Sequence, residues 1–276
     1  MQVAALYDIH GNLPALEGVL AELSQVQPDL IVAGGDMAAG PMPRETLDRL
    51  ISLGDSVRFL RGNTDREIVD HYDACSAPDT RNEDDVWAQR IEWAARQVTE
   101  AQRDLLASLP TTLTIEVDGL GATLFCHGSP RSDHEVITRV TPRRRLDGIL
   151  AQVTENIVVC GHTHVQFNRT HASKRVINAG SVGLLREETP GAYWTLLGPD
   201  VVQRRTSYDL DDAARRIRAT ECPEADAFAD DLLKAWDPAR VSESREAEAD
   251  RAAETQERAK VSGNIPGRCR EQFRCR

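Results

Sequence analysis

Two histidines stand one residue apart in the stretch Cys160-Gly161-His162-Thr163-His164, directly after the apolar run 157–159. The apolar run predicts a buried strand. Side chains of an extended segment alternate between its two faces, so both imidazoles project to the same side. Such a pair can chelate one metal ion or span two. By itself, the pair could equally be two loop histidines that bond to backbone groups.

Other polar side chains follow apolar runs in the same way. Four of the seven histidines and four residues with a carboxylate or carboxamide lie just after strand-like runs, namely Asp8, His10, Asp36, Asn63, Asp65, His127, His162 and His164. These groups form a mixed nitrogen and oxygen ligand set that suits Mn, Fe, Zn, Co or Ni, and the set contains no thiolate that would indicate a structural zinc. Without Asp65, seven candidate ligands remain. This number exceeds the need of one catalytic ion and favours two ions that share a carboxylate.

A repeated cadence of strand and helix positions the first of these residues. Strands are predicted over 3–7, 30–33 and 57–60, with helices over 13–23 and 43–53 between them. Single helices between consecutive strands imply parallel pairing through right-handed crossovers. The three strand ends then meet at one edge of the sheet, where open α/β sheets bind ligands.

The second half of the chain predicts another sheet. After helices over 83–97 and 99–109, apolar and polar residues alternate with a period of two, which indicates strands over 111–117 and 122–126. A helix over 142–153 precedes strands over 157–159, 165–170 and 174–178. Strands over 192–197 and 201–206 are expected to complete this second sheet as a hairpin. The chain therefore supplies two sheets with helices outside.

Composition divides the chain into three parts. Residues 1–208 contain the strands and form the predicted main domain, and residues 209–237 form a C-terminal extension with helices over 211–219 and 224–236. Residues 238–276 alternate acidic and basic side chains with alanine and contain few large apolar ones. This last pattern is typical of a solvated helix or a disordered tail.

Charge and hydropathy exclude several classes of protein. The chain has 44 Asp and Glu against 33 Lys and Arg, a net charge of -11, which argues against a stable complex with nucleic acid or with an anionic membrane. Apolar runs stay well short of the roughly 20 residues of a membrane span, and the N-terminus lacks a basic leader. Six cysteines without framework spacing indicate reduced thiols. We therefore expect a cytoplasmic protein, and its oligomeric state is left open.

Five motifs in order carry a resemblance to a known family: Asp8-x-His10, Gly35-Asp36, Gly62-Asn63-x-Asp65, His127 and Gly161-His162-x-His164. Over roughly residues 1–206 the chain resembles the calcineurin-like metallophosphoesterases. It is most similar to their small bacterial and archaeal phosphodiesterases, because the turn 178–183 resembles their Pro-Gly-Ser-Val turn. The resemblance implies an α/β (α+β) metallophosphatase fold, a four-layer αββα sandwich of two mixed β-sheets flanked by helices.

The resemblance also implies a role for each ligand. Asp8, His10 and His164 would hold one ion, Asn63, His127 and His162 the other, and Asp36 would bridge them. The catalytic residues would be Asp36, Asn63 and His127, together with Asp65. The implied cofactors are two divalent transition-metal ions, Mn, Fe, Zn, Ni or Co, with Mn favoured. The implied reaction is hydrolysis of a phosphodiester or phosphomonoester bond in a small phosphorylated substrate by a metal-bridging hydroxide.

One position departs from the family pattern. Many members have a histidine where this chain has Thr64, and that histidine protonates or polarises the leaving oxygen. A threonine hydroxyl cannot act as an acid near neutral pH. The sequence therefore favours activated or diester substrates, and Asp65 is expected to support the turn or a second layer of hydrogen bonds.

Alternatives remain open at this stage. Arg131, Arg143 and Arg144 are candidates for a substrate entrance, although a run of charges such as 143–145 is often only a solvated face. The chain could also be a catalytically inactive protein of the same fold that acts as a binding or scaffold module. Further alternatives are a nucleotide or dinucleoside polyphosphate hydrolase and a protein phosphatase.

Overall fold

The computed structural model describes residues 1–74 and 85–261, with side chains up to residue 255. Cys75, Cys269 and Cys275, and the part of the predicted tail beyond residue 261, lie outside the described residues. Cys126 and Cys160 are free thiols and are buried, as their positions in apolar runs predict.

Ten strands and nine helices make up the described part of the chain, apart from one short 3-10 turn. The strands are β1 (Val3–Leu6), β2 (Leu30–Ala33), β3 (Val57–Phe59), β4 (Thr112–Val117), β5 (Gly121–Cys126), β6 (Ile157–Cys160), β7 (Phe167–His171), β8 (Lys174–Asn178), β9 (Ala192–Leu197) and β10 (Val201–Thr206). The helices are α1 (Leu13–Val26), α2 (Pro43–Ile51), α3 (Asn63–Asp73), α4 (Val86–Gln97), α5 (Glu100–Ser108), α6 (Arg143–Leu150), α7 (Leu210–Arg218), α8 (Ala225–Leu233) and α9 (Pro238–Val261).

Local signals in the sequence account for where several helices begin. Helix α1 begins after Asn12, whose side chain accepts a hydrogen bond from the backbone N–H of Ala15 and so satisfies one free donor of the first turn. Helix α5 begins with a reciprocal capping box between Thr99 and Gln102, as predicted. Helix α3 was not predicted, because the buried residues of its first turn are the polar 63–65 and leave no apolar stripe.

The first sheet has the strand order β10-β9-β1-β2-β3. Strands β1, β2 and β3 are parallel, as the strand and helix cadence predicts. The expectation that β9 and β10 complete the second sheet is wrong, since β9 pairs antiparallel with β1. All six residues of β9 are buried, as befits a central strand, but a hairpin pattern does not specify which sheet it joins.

The second sheet has the order β4-β5-β6-β8-β7, with β5, β6 and β8 parallel. An apolar layer between the sheets includes Tyr7, Phe125 and Val159. Outer apolar layers join the first sheet to its helices and the second sheet to α6. The predicted four-layer αββα sandwich of two mixed sheets is thereby confirmed, and it brings the carboxyl ends of β1, β2, β5 and β6 close together.

The C-terminal helices pack on this body. Helices α7 and α8 form a small core with Leu184, through Ile217 and Phe228 among others. Helix α9 is more than a solvated tail, because Ser242 and Glu246 are buried against the body. Within the described residues, no helix is long and apolar enough to cross a membrane.

Candidate metal centre

The ends of four strands supply most of the candidate ligands. Asp8 and His10 follow β1, Asp36 follows β2, His127 follows β5, and His162 and His164 follow β6. Asn63 is the first residue of α3, just after β3. All are buried apart from the half-buried His162. The structure therefore brings together the seven ligands that the sequence predicts.

The backbone at these strand ends turns in an unusual way. Positive φ angles occur at eight described residues other than glycine, and five of those eight are ligands: Asp8 (54°), His10 (49°), Asp36 (55°), His162 (66°) and His164 (62°). For a residue with a Cβ this left-handed conformation costs about 1–3 kcal/mol and persists only where surrounding structure enforces it. Backbone hydrogen bonds between the first two loops do so, from Asp8 N to Gly35 O (3.1 Å) and from His10 N to Asp36 O (2.9 Å).

Six of the seven candidate ligands form two groups of three that could each hold a cation, Asp8 with His10 and His164, and Asp36 with His127 and His162. In the first group, the Nε2 atoms of His10 and His164 lie 3.1 Å apart, and Asp8 Oδ1 lies 3.3 Å from His164 Nε2. In the second, Asp36 Oδ2 lies 3.3 Å from His127 Nε2. The same Asp36 oxygen lies 3.9 Å from His10 Nε2, so it faces both groups.

The hydrogen bonds of two imidazoles fix which nitrogen points into the site. Carbonyl oxygens only accept, so Nδ1 of His127 donates to Gly34 O (3.0 Å) and Nδ1 of His164 donates to Leu184 O (2.6 Å). In the neutral ring Nε2 then carries the lone pair, which is the form that binds a metal. Within the described residues, Asp8 Oδ1, Asn63 Oδ1 and His127 Nε2 are buried without a hydrogen-bond partner. Buried polar atoms are normally satisfied, so these three fit a site for cations.

The charges of the site shift several pKa values. Burial raises the pKa of the Asp8 carboxyl to about 6, although the charge of His127 opposes it. Burial lowers the pKa of His10 to about 4 and that of His162 to about 3. Burial also lowers the pKa of His127, but the nearby negative charges of Asp36 and Asp8 outweigh this effect and raise it to about 10. Carboxylates in this site therefore attract positive charge, and His10 and His162 are neutral near pH 7.

Asp65 and Thr64 lie beneath the ligands. The Asp65 carboxylate accepts hydrogen bonds from the backbone N–H groups of Asp36 (2.8 Å), Met37 (3.0 Å) and Gly62 (2.9 Å), so it ties the loop after β2 to the start of α3. This is the supporting role that the sequence suggests. Thr64 is fully buried, and its backbone N–H donates to Asp36 Oδ1 (2.9 Å). Both residues hold Asp36 in place.

The two ligand groups open into a cavity of about 300 Å³. We call the residues His10, Asp36, Asn63, His162 and His164 the ligand wall of this cavity. The remaining lining residues are Trp87, Arg90, Leu184, Arg186 and Arg245, and we call the three arginines with Trp87 the arginine wall. Sequence analysis missed the arginine wall, because none of its members belongs to a motif with recognisable spacing.

The predicted substrate arginines lie elsewhere. Arg131 donates to Glu135 (2.7 Å) and Gly148 O (3.1 Å), and it lines a separate cavity. Arg143 and Arg144 are exposed at the start of α6. Their neighbour Arg145 pairs with Glu246 of α9. The protein itself therefore supplies an anion for one of the three arginines of this run. A substrate role for Arg131, Arg143 and Arg144 stays a prediction, and their positions do not favour it.

Comparisons with known proteins agree with this architecture. A family model described as the calcineurin-like phosphoesterase superfamily domain matches residues 1–197. An uncharacterized protein of Methanocaldococcus jannaschii is 23% identical over 248 residues, which covers 80% of this chain and 94% of that protein.

Two solved structures share the fold. A metallophosphoesterase from Sphaerobacter thermophilus is 24% identical with a TM-score of 0.66, over 84% of this chain and 98% of that one. A hypothetical protein from Pyrococcus horikoshii is 20% identical with a TM-score of 0.71, over 84% of this chain and 97% of that one. At such identities the likeness extends to the fold alone.

Proposed function

Since the chain belongs to the calcineurin-like phosphoesterase superfamily, we propose that it hydrolyses phosphate esters of small molecules with two divalent transition-metal ions, and that it prefers phosphodiesters to phosphomonoesters. One observation carries this proposal. Two groups of three buried ligands meet around a single carboxylate oxygen, Asp36 Oδ2, which lies within 4 Å of imidazoles from both groups. A shared carboxylate between two mixed nitrogen and oxygen sites suits a pair of divalent ions.

The residues divide between the two ions. Asp8, His10 and His164 would hold one ion, Asn63, His127 and His162 would hold the other, and Asp36 would touch both. When bound, such ions supply Lewis-acid chemistry and activate water for attack on phosphorus. The ligand types suit Mn, Fe, Zn, Ni or Co, of which we favour Mn. Gly34 O and Leu184 O keep His127 and His164 in the tautomer that binds a metal.

The lining of the cavity supports a preference among leaving groups. Apart from the ligands, the ionisable residues among the described lining are arginines, which do not give up a proton near neutral pH. Thr64 is buried beneath Asp36 and is not part of the lining. A leaving group that needs no protonation, such as an aryl oxide or a phosphate, therefore suits this site better than an alkoxide.

The test is hydrolysis of bis(p-nitrophenyl) phosphate by protein that has been freed of metal and then supplied with Mn, Co or Ni. We expect activity that depends on the added ion, and Asp36→Asn should reduce it by about 10³-fold with a matching loss of bound metal. Asp55→Asn, an exposed carboxylate on the 3-10 turn before β3, serves as the control. Full activity of the chelated protein, or of Asp36→Asn, would refute the proposal.

A further inference from the structure

Three arginines from three separate elements line the cavity that holds the ligand wall. Arg90 lies on α4, Arg186 in the loop before β9, and Arg245 on α9. Burial lowers the pKa of Arg186 and the charge of Asp231 opposes this, but the charges of Arg245 and Arg90 lie close enough to lower it further. Such crowding of cations is unfavourable unless an anion compensates it.

Two of the arginines are held in place by the protein. Arg186 stacks on the Trp236 ring, with 4.1 Å between its Cζ and the ring centroid, and it lies 3.4 Å from Asp231. Arg90 donates to the carbonyl oxygens of Pro223 and Glu224, each at 3.1 Å. These bonds fix each guanidinium before a ligand arrives, which lowers the entropy lost on binding.

Arg245 reaches the cavity because α9 is anchored beside it. The next residue, Glu246, is buried and accepts hydrogen bonds from Thr138 (2.8 Å) and Thr141, and it also pairs with Arg145. Neighbouring residues on a helix point about 100° apart, so one side chain can anchor the helix while the other lines the cavity. Arg245 itself is 40% exposed and lies 3.2 Å from Glu248.

The arginines do not neutralise the metal ligands. Within the described residues, no hydrogen bond or ion pair joins Arg90, Arg186 or Arg245 to Asp8 or Asp36. All three arginines line the cavity. The bonds and ion pairs that they make go to carbonyls and carboxylates beside it, including one from Arg186 to Leu185 O (2.9 Å). Guanidinium groups match the geometry of phosphate oxygens, so a cluster of three is suited to a phosphate group that is distinct from the one attacked.

We propose that the arginine wall binds a second phosphate group next to the attacked phosphorus, so that the substrate class is small molecules with a phosphoanhydride bond, P–O–P. This inference rests on the proposed function and specifies its substrate. In the reaction, the oxygen of water forms a bond to the attacked phosphorus, and the bond from that phosphorus to the bridging oxygen breaks. The leaving phosphate keeps the electron pair, and the proton of the water passes to solvent. The arginines stabilise the negative charge on the leaving phosphate, which needs no acid.

The test uses two probes whose P–C bonds resist hydrolysis, methylenebisphosphonate and methylphosphonate. Each probe is titrated by calorimetry into the metal-loaded full chain. Bound metal is measured after each titration, so that removal of ions by the probe is detected. The first probe presents two phosphorus centres as a phosphoanhydride does, and the second presents one. The measured quantity is the ratio of their dissociation constants in each variant.

We expect Arg245→Gln and Arg90→Gln each to reduce the preference for methylenebisphosphonate at least tenfold, and Arg245→Lys to restore part of it because the charge returns. Arg240→Gln is the matched control, since Arg240 lies on α9 and is 87% exposed. Because Arg245 is partly exposed, its replacement should leave the fold intact, which circular dichroism checks. An unchanged preference in Arg245→Gln would overturn the inference.

The two proposals fail in different ways. If wild-type protein hydrolyses bis(p-nitrophenyl) phosphate but its preference for the bisphosphonate survives Arg245→Gln, this inference is wrong and the proposed function stands. If metal-loaded wild-type protein hydrolyses neither that diester nor inorganic pyrophosphate, the proposed function is wrong. Nucleoside diphosphates and inorganic tripolyphosphate, tested in parallel, distinguish an organic from an inorganic phosphoanhydride.

Discussion

The ligand wall and the arginine wall face the same cavity but are built from different kinds of structure. Members of the ligand wall come directly after strands, mostly on left-handed backbone that neighbouring loops hold in place. Members of the arginine wall are long side chains on two helices and a loop. The first arrangement fixes positions to a fraction of an ångström, as metal ligation requires. The second is held by side-chain contacts between elements that lie far apart in the chain, and the two walls should therefore respond differently to mutation.

The largest of these effects is expected at Gly62, where the ligand wall cannot accommodate an added side-chain atom. A Cβ on Gly62 would lie 2.1 Å from Asp36 Oδ1 and 2.4 Å from the Asp36 backbone nitrogen, so Gly62→Ala must displace that ligand. We expect bound metal to fall and hydrolysis of bis(p-nitrophenyl) phosphate to drop about 100-fold or more.

Gly148→Ala in α6 is the control for Gly62→Ala, because a Cβ there meets nothing within 4 Å. Alanine is the better helix former, so this variant should be more stable by about 0.5–1 kcal/mol and fully active. If both glycine variants behaved alike, the ligand wall would be less rigid than its geometry implies.

A smaller effect is expected when the arginine wall is loosened. Glu246→Gln removes the charge that Arg145 pairs with and weakens the bonds from Thr138 and Thr141, so α9 and with it Arg245 should be held less firmly. We expect methylenebisphosphonate to bind about 3- to 10-fold more weakly, by calorimetry, with unchanged metal content. Glu243→Gln, at an exposed site on the same helix, should have no effect. Loss of metal in Glu246→Gln would contradict the independence of the two walls.

The left-handed backbone of the ligand wall predicts that a glycine variant is more stable there than an alanine variant, which is the reverse of the usual order in a helix. At His162, with a φ of 66°, His162→Gly should be more stable than His162→Ala by about 1 kcal/mol in urea unfolding of the chelated proteins. The same pair at His71, inside α3, should show the reverse order, because glycine disfavours an ordinary helix. If the glycine and alanine variants had the same order of stability at both sites, the surrounding structure would not enforce the left-handed backbone at His162.

The smallest effect concerns an arginine that belongs to neither wall. Burial raises the pKa of Glu135, but the hydrogen bond from Arg131 outweighs it and lowers the pKa below its usual value. A lowered pKa in the folded state means that this pair stabilises the protein above the unfolded pKa of about 4.3 and stops doing so as the pH falls through the folded value. Since Arg131 is 53% exposed, Arg131→Gln should cost less than about 1 kcal/mol.

Urea unfolding at pH 7 and at pH 3 checks the effect of Arg131→Gln, because the difference from wild type should be present at the first pH and smaller at the second. The affinity for methylenebisphosphonate should not change. A weaker affinity would indicate that Arg131 contributes to substrate binding, as the sequence suggests.

The sequence predicts the ligand wall because each of its residues is local to a strand end. His10, Asp36 and His162 each follow an apolar run within a few positions, and the parallel pairing of strands gathers those ends at one edge. The strand pattern also predicts two sheets with helices outside, and the four-layer sandwich is what the family resemblance implies. By contrast, nothing in the pattern of β9 specifies that it pairs with β1, since the two are far apart in the chain.

The arginine wall could not be predicted, because its members have ordinary surroundings in the sequence. Arg90 is one of several charged residues on α4, and Arg245 is one of many in the alternating charges after residue 237. What distinguishes them is tertiary packing: Trp87 of α4 packs against the small core of α7, α8 and Leu184, and the buried carboxylate of Glu246 anchors α9. Helix α3 was not predicted for a related reason, since its buried first turn is polar.

The position of Glu246 has a consequence for the order in which the protein is made. All seven candidate metal ligands precede β7, and the first sheet is complete once β10 has been synthesised, whereas Arg245 and its anchor come only with α9. A nascent chain is therefore expected to bind metal before its site for a second phosphate is complete. Ribosome-bound chains that end before α9 should retain metal yet show a weaker preference for methylenebisphosphonate, because they keep Arg90 and Arg186 but lack Arg245. Chains without metal would show that α9 is needed for the ligand wall as well.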